Sequence, residues 1–273
     1  MRLCLVGSGI TASPSAAMQT AALRAAGVAG TYENRDVPPT ELPAFLAELR
    51  SGAYDGCNVT IPYKAALAAV CDRLEGDGGL LGVVNTIIAE GGQLIGDNTD
   101  ARGFENALTA RGLWPAPGSR ALVVGAGGAA AAVTLALTRA RGSFVVVTSR
   151  RKKASLALAE RLLGANEIGI VAWERDAVQR VLASSSIVVN ATSVGLSEMP
   201  FELDDVPTSC TVADVRYRPR PVDLVAAAGA TGRPAVDGAE MLLQQGMLSF
   251  ERWTGLEPPW PAARAALEQA LAT

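Results

Sequence analysis

Lys64 is the residue of this sequence best placed to move a proton near neutral pH. The 273-residue chain contains no histidine, and its 24 basic residues are three lysines and 21 arginines. Lys152 and Lys153 are adjacent in a basic run, whereas Lys64 stands alone in Asn58-Val59-Thr60-Ile61-Pro62-Tyr63-Lys64, just after an apolar stretch. Arginine stays protonated in proteins. A lysine shifts its pKa readily when desolvated and then works as acid or base. A coding bias toward arginine explains few lysines, but not one kept at position 64.

Three polar clusters interrupt the apolar first hundred residues: Ser13-Pro14-Ser15, the 58–64 segment, and Asn85-Thr86 together with Gly96-Asp97-Asn98-Thr99-Asp100. Each falls where a strand is predicted to end, the edge at which open α/β sheets gather ligands. Hydroxyls and amides there suit a small polyhydroxylated substrate, with Lys64 and Asp100 supplying one cation and one carboxylate. Taken singly, each cluster also reads as turn or capping chemistry, with Ser13 capping a helix and Asn98 and Asp100 making Asx-turns. Their joint occurrence beside a dinucleotide loop favours a site.

That loop is Val123-Val124-Gly125-Ala126-Gly127-Gly128-Ala129-Ala130, a glycine turn between an apolar strand and an alanine-rich helix. A GxG turn there lets the backbone approach a pyrophosphate, whose charge the helix N-terminus favours. The alternative is an ordinary tight turn, and the third glycine of the full fingerprint is displaced. About 20 residues on, an NAD enzyme of this kind would carry an acid for the ribose 2′-hydroxyl. The chain instead has Thr148-Ser149-Arg150-Arg151-Lys152-Lys153, four cations that suit a 2′-phosphate and so NADP rather than NAD. A merely solvated basic helix start would leave cations opposing the helix dipole.

These segments sit on a chain that alternates short strands with helices. Arg2 to Val6, Tyr54 to Val59, Val83 to Ala89 and Leu94 to Gly96 read as strands of the first part. Helices are expected from Ala16 to Ala26, over 39–49 and from Lys64 onward. A second βαβ series follows the rigid 114–118 segment, with strands at 121–124, 144–148, 168–172, 187–189, 211–215 and 234–236. Its helices are expected at 129–139, 154–163 and 221–228, before terminal helices from 239 to 254 and 261 to 272. The expectation is an α/β protein with a largely parallel sheet covered by helices. Apolar residues at 49% and a net charge of −3 with dispersed cations disfavour a nucleic-acid binder. Cys4, Cys57, Cys71 and Cys210 have no metal-ligand spacing, and free thiols acting as small hydrophobes are expected, with no metal. The absence of a signal-peptide core or a long apolar run suggests a cytoplasmic protein without a membrane span.

Taken in order, the motifs resemble those of the shikimate dehydrogenase family over nearly the whole chain. Gly7 to Ala16 resembles the family's GxPxxHSxSP loop, with Ser13 and Ser15 in the serine positions that hold the substrate carboxylate. NVTIPYK at 58–64 resembles NVTxPxK, whose lysine is catalytic. Gly82 to Thr86 resembles GAVNT, and Gly96 to Asp100 resembles GxNTD, whose aspartate partners that lysine. GAGGAA at 125–130 is followed by Ser149-Arg150 where the family has Asn-Arg. Asn190 to Gly195 resembles the NxTxxG beside the nicotinamide, Asp214 to Pro219 resembles DxxYxP, and Met241 to Gly246 resembles the MLxxQ helix that brings Gln245 to the substrate.

The resemblance implies a mostly parallel N-terminal substrate domain to about residue 101, and a Rossmann-type NADP domain over 102–237. Helices from 238 to 273 return to the first domain, with the active site in the cleft. It implies NADP-linked interconversion of shikimate and 3-dehydroshikimate, with Lys64 and Asp100 catalytic. Ser13, Ser15, Asn58, Thr60, Asn85, Tyr217 and Gln245 would bind substrate. The cofactor would be held by Gly125, Ala126, Gly127, Gly128 and Ala129, by Ser149, Arg150, Arg151 and Lys153, and by Asn190, Thr192, Ser193, Gly238 and Met241. The implied partner is a small cyclic hydroxy acid, bound by a monomer or homodimer. The chain departs from the family at Gly9, Ala12, Ala16 and Ala132, where proline, histidine, proline and arginine are usual. Quinate or aminoshikimate therefore stay open as substrates, as does a low-turnover NADP-binding sensor, against which the intact Lys64 and Asp100 argue.

Overall fold

The computed structural model describes residues 1–162 and 168–272; Leu163, expected to close a helix, lies outside the described residues. The chain divides into two compact units, Met1–Thr99 with Leu243–Thr273, and Asp100–Leu242.

The first unit opens with β1 (Arg2–Gly7), α1 (Ser15–Ala25), β2 (Thr31–Asp36), α2 (Leu42–Arg50), β3 (Gly56–Val59) and α3 (Lys64–Ala68). It continues with β4 (Arg73–Leu74), α4 (Gly76–Leu81), β5 (Thr86–Glu90) and β6 (Gln93–Asp97). The sheet order is β2-β1-β3-β5-β6-β4. β1 runs parallel to β2 and β3, and β4 parallel to β6, while β5 is antiparallel to both of its neighbours. This register has a functional consequence. β1 and β3 end, β5 begins and β6 ends at one edge, where Asn58 pairs with Thr86 and Thr86 with Asp97.

Several elements depart from the sequence expectation. β2 is not expected, because Thr31-Tyr32-Glu33-Asn34-Arg35-Asp36 is polar; it is an edge strand paired only with β1, and only Tyr32 is buried. Such edges tolerate charge. α4 contains three glycines, poor helix formers. Two of them serve close approach, since a Cβ on Gly76 would lie 2.5 Å from Asp97 Oδ1 and one on Gly78 3.0 Å from Asp97 Cα. β5 starts at Thr86 instead of Val83, because Val84 N–H donates to the Lys64 carbonyl and Asn85 N–H to that of Asp97.

The second unit comprises α5 (Asp100–Ala110), β7 (Arg120–Val124), α6 (Gly128–Arg139), β8 (Phe144–Thr148), α7 (Lys152–Leu162), β9 (Ile168–Val171), α8 (Arg175–Leu182), β10 (Ile187–Asn190), β11 (Thr211–Asp214), α9 (Asp223–Ala230) and β12 (Ala235–Val236). Its sheet, β12-β11-β10-β7-β8-β9, is parallel throughout. The glycine turn at 125–128 and the loop that begins at Asn190 thus leave adjacent strands β7 and β10 at their carboxyl ends. α8 is not among the expected helices, being only eight residues long, although its buried Ala177, Val178 and Leu182 follow a helical spacing. α10 (Ala239–Thr254) and α11 (Trp260–Ala272) complete the chain. The division between the units falls within α10, whereas the motifs place it ahead of the helix. No helix among the described residues is long and apolar enough to cross a membrane.

Each unit has its own core. In the first, Cys4 and Val6 of β1 and Cys57 and Val59 of β3 pack with Phe45, Leu49 and Leu67. In the second, Leu122, Val124, Val188 and Val212 pack with Val178, Leu182 and Leu224. All four cysteines are free. Burial pushes the Cys210 thiol up to about 12 and the Cys71 thiol up to about 11, which suppresses the reactive thiolate.

Candidate active site

At the shared edge of the first sheet, the loops after β1 and β3 are stitched together. Ser8 N–H donates to the Ile61 carbonyl at 3.0 Å and Thr60 N–H to that of Val6 at 2.9 Å. Gly7 makes this approach possible, because a Cβ there would lie 2.6 Å from Thr60 Cγ2 and 3.0 Å from the Ile61 oxygen. The serine loop is also held from β2. Asn34 Nδ2 donates to the Ser13 carbonyl at 2.8 Å and Asp36 Oδ1 accepts from Gly9 N–H at 2.8 Å.

Ser13 and Ser15 are brought together, with the Ser13 hydroxyl donating to Ser15 Oγ at 3.1 Å. Ser13 does not occupy the cap position of α1, which is Pro14 and has no side-chain cap. Lys64 is the first residue of α3, half-buried, and Asp100 is the first residue of α5, buried. The Lys64 backbone is fixed through Val84, and the preceding Tyr63 hydroxyl donates to the Val37 carbonyl at 2.5 Å.

Beside the lysine loop lies a buried network of neutral groups. Asn58 Nδ2 donates to the Asn85 carbonyl at 3.0 Å and to Ser249 Oγ at 2.9 Å, while Asn58 Oδ1 accepts from Tyr32 at 2.8 Å. All the polar valences of that side-chain nitrogen and one lone pair of its oxygen therefore go to protein. Asn85 and Gln245 meet directly, Nδ2 to Oε1 at 3.0 Å. The Asn98 amide nitrogen donates to the Val83 carbonyl at 3.0 Å. Trp253 of α10 donates from Nε1 to the Ile87 carbonyl at 2.9 Å, and only a glycine at 56 leaves room for it, since a Cβ would lie 2.6 Å from that nitrogen.

In the second unit the turn after β7 needs its glycines. Gly125 has φ +127°, and a Cβ on it would lie 2.7 Å from the Ala191 oxygen, so the turn packs against the loop after β10. A Cβ on Gly127 would meet nothing within 4 Å, leaving open space over the turn, while Gly128 begins α6 with no side-chain cap. Uncapped N–H groups facing open space fit a pyrophosphate. Ala126 and Ala129 flank these positions, and Arg150, Arg151 and Lys153 are exposed at the start of α7. The Ser149 hydroxyl is used locally, bonding the Arg151 carbonyl at 3.0 Å and Ser155 Oγ at 2.7 Å.

The loop after β10 is shaped by Asn190, whose Oδ1 accepts both the N–H and the hydroxyl of Thr192, at 3.0 and 2.7 Å, while Ser193 is exposed. Asn190 Nδ2 reaches Asp214 at 2.9 Å, and Arg216 links Asp214 to Asp223. Leu196 N–H and Arg216 hold the Asp223 carboxyl below its usual range, against an upward push from burial. Tyr217, half-buried, also belongs to this unit. Gly238 is buried against the chain leaving β11, where a Cβ would lie 2.0 Å from the Val215 oxygen, and Met241 lines a small cavity with it, Phe104 and Asp214.

Sequence reasoning missed Tyr32, Asn34, Ser249, Trp253, Arg216 and Asp223. All stand outside the quoted motifs or in their variable slots, and only the polarity of β2 hinted at Asn34.

Residues 5–87 match the shikimate dehydrogenase substrate binding domain, and residues 238–268 match the shikimate 5′-dehydrogenase C-terminal domain. The shikimate dehydrogenase (NADP(+)) of Rubrobacter xylanophilus is 38% identical over 268 residues, spanning 96% of this chain and 94% of that protein. Shikimate 5-dehydrogenase from Thermus thermophilus, solved in complex with NADP(H) and shikimate, is similar with a TM-score of 0.87 and 37% identity over 99% of this chain and 100% of that one. Quinate dehydrogenase from Corynebacterium glutamicum, solved with NAD, has a TM-score of 0.88 at 30% identity, over 98% of this chain and 99% of its own.

Proposed function

The chain belongs to the shikimate dehydrogenase family, and from that premise we propose that it is an NADP-dependent oxidoreductase interconverting shikimate and 3-dehydroshikimate. The observation that carries the reading is the gathering of the serine loop, the lysine loop and the Asn85–Gln245 amides at one edge of the first sheet. NADP, when bound, accepts or supplies the hydride.

Lys64 Nζ takes the hydroxyl proton as the alcohol is oxidised and returns it to the carbonyl oxygen in reduction. Asp100 is the accompanying carboxylate. Ser13 and Ser15 hold the substrate carboxylate, and Thr60 and Gln245 address its ring oxygens, with Asn85 orienting Gln245 and Asn58 bracing the Asn85 backbone. Tyr217 completes the substrate set. Gly125 to Ala129 receive the pyrophosphate, and Arg150, Arg151 and Lys153 the 2′-phosphate, with Ser149 shaping their turn. Asn190, Thr192, Ser193, Gly238 and Met241 shape the nicotinamide side. The protein works in the cytoplasm as a monomer or homodimer.

The altered serine loop, with exposed Ala12 in place of histidine, favours a second reading as a quinate or aminoshikimate dehydrogenase. A spectrophotometric comparison of kcat/KM for the three alcohols with NADP and NAD tests both. The highest value is expected for shikimate with NADP. A higher value for quinate or aminoshikimate selects the second reading, and no turnover of any of them ends both.

A further inference from the structure

Ser249 lies one helical turn after Gln245 on α10 and is completely buried. It touches four polar groups: Asn58 Nδ2, Thr86 Oγ1, Thr99 Oγ1 and the Gln245 carbonyl, at 2.9, 2.7, 3.2 and 3.0 Å. Two backbone groups determine how protons are arranged around it. The Thr99 N–H can only donate, and it points at Asn85 Oδ1 at 2.8 Å, so that end of the Asn85 amide is its carbonyl. The nitrogen end therefore donates to Thr99 Oγ1 at 2.8 Å and to Gln245 Oε1 at 3.0 Å. Reversing the Gln245 amide would set two donors face to face, so its NH₂ end is turned away from Asn85.

The second fixed group is the Asn85 backbone carbonyl, which can only accept. It orients the Asn58 nitrogen, and that nitrogen gives its other proton to Ser249 Oγ. Ser249 then directs its own proton to Thr86 or to the Gln245 carbonyl, and Thr86 donates to Asn85 Oδ1 at 2.9 Å. Thr99 accepts from Asn85 and donates to the Gln245 carbonyl at 2.9 Å. Every member is thus oriented by the others, and such a closed arrangement resists a single reversed amide.

We infer that Ser249 is a positioning residue for substrate recognition: through Thr86 and Asn85 it fixes Gln245 with its NH₂ end as a donor, so the site reads an accepting ring oxygen on the substrate. This rests on the proposed oxidation of a cyclic alcohol. A hydroxyl or carboxylate oxygen satisfies that donor, whereas an ammonium at the same place opposes it.

Gln245→Glu keeps the side-chain shape and the oxygen facing Asn85 but removes the outward donor. It is expected to raise KM for shikimate about 10- to 100-fold, with KM for NADP unchanged. Ser249→Ala should raise KM for shikimate about three- to tenfold and leave kcat within about threefold. In a Gln245→Ala background the Ser249→Ala effect on KM should vanish, because it acts through Gln245. Additive effects, or a wild-type KM in Gln245→Glu, overturn the inference.

Wild-type shikimate oxidation is measured in the same series, and its absence rejects the functional reading alone. Neutron diffraction of the free protein then reads the orientation directly. Gln245 amide deuterons away from Asn85, with Asn58 deuterons on Ser249, uphold the inference; Gln245 deuterons against Asn85 overturn it whatever the turnover.

Discussion

The amide network of the first unit and the glycine turn of the second are built for recognition by opposite means. The network uses side chains whose polarity is locked by neighbours far away in sequence, from Tyr32 on β2 to Ser249 on α10. The turn uses backbone that must be bare, with Gly125 at φ +127° and open space over Gly127, supplemented by exposed cations on α7. A ring bearing several similar hydroxyls demands donors and acceptors fixed in direction. A phosphate demands only N–H groups and positive charge, which a short local segment can supply.

The largest effect should come from Lys64, the proposed proton carrier. Lys64→Ala is expected to lower kcat by about 10²–10⁴-fold, measured as NADP reduction at saturating shikimate. Retention of more than about a tenth of kcat would remove Lys64 from its assigned role and leave the first unit as a binding surface only.

Gly125→Val probes the other side of the comparison. A branched side chain at φ +127° and 2.7 Å from the Ala191 oxygen should cost about 1–3 kcal/mol of stability and raise KM for NADP more than that for shikimate. Equal loss of both affinities would show that the turn is general scaffold. A smaller effect is expected from Arg150→Ser with Arg151→Ser. KM for NADP should rise about tenfold while KM for NAD stays unchanged, because only the 2′-phosphate needs the cations.

The smallest effect concerns stability at low pH. Hydrogen bonding to Arg252 on α10 outweighs burial and holds the Glu75 carboxyl below its usual range. The Leu94 N–H and Arg50 do the same for Asp72. A depressed folded-state pKa contributes stability above the unfolded value and loses it as pH falls through the folded one. Tm should therefore fall below about pH 4, and Glu75→Gln should flatten that fall slightly. Both residues belong to the first unit, so an unchanged profile would mean that its acid sensitivity lies elsewhere.

The same contrast governs what the sequence disclosed. Glycine turn, strand ends and basic helix start are contiguous, so their spacing alone placed them, and β7, α6, β8 and β10 lie close to where the pattern put them. Lys64, Asn85 and Gln245 were legible as motif members. Their supports were not, because hydrogen bonding between Asn58 and Ser249 leaves no local pattern in either segment. β2 was hidden for a related reason, since an edge strand buries too few side chains to show a period, whereas α8 does carry a helical spacing but is only eight residues long. The β4–α4 stretch was obscured by glycines that serve the approach to Asp97 and not the helix itself.

No member of the amide network carries a charge. Burial holds the one weakly acidic group, the Tyr32 hydroxyl, well above its ordinary pKa, and the chain has no histidine to intervene. Affinity owed to these amides and hydroxyls is consequently indifferent to acidity across the range in which enzymes usually work. Whatever oxygen these groups hold, their hold on it would stay steady as the pH around the protein drifts.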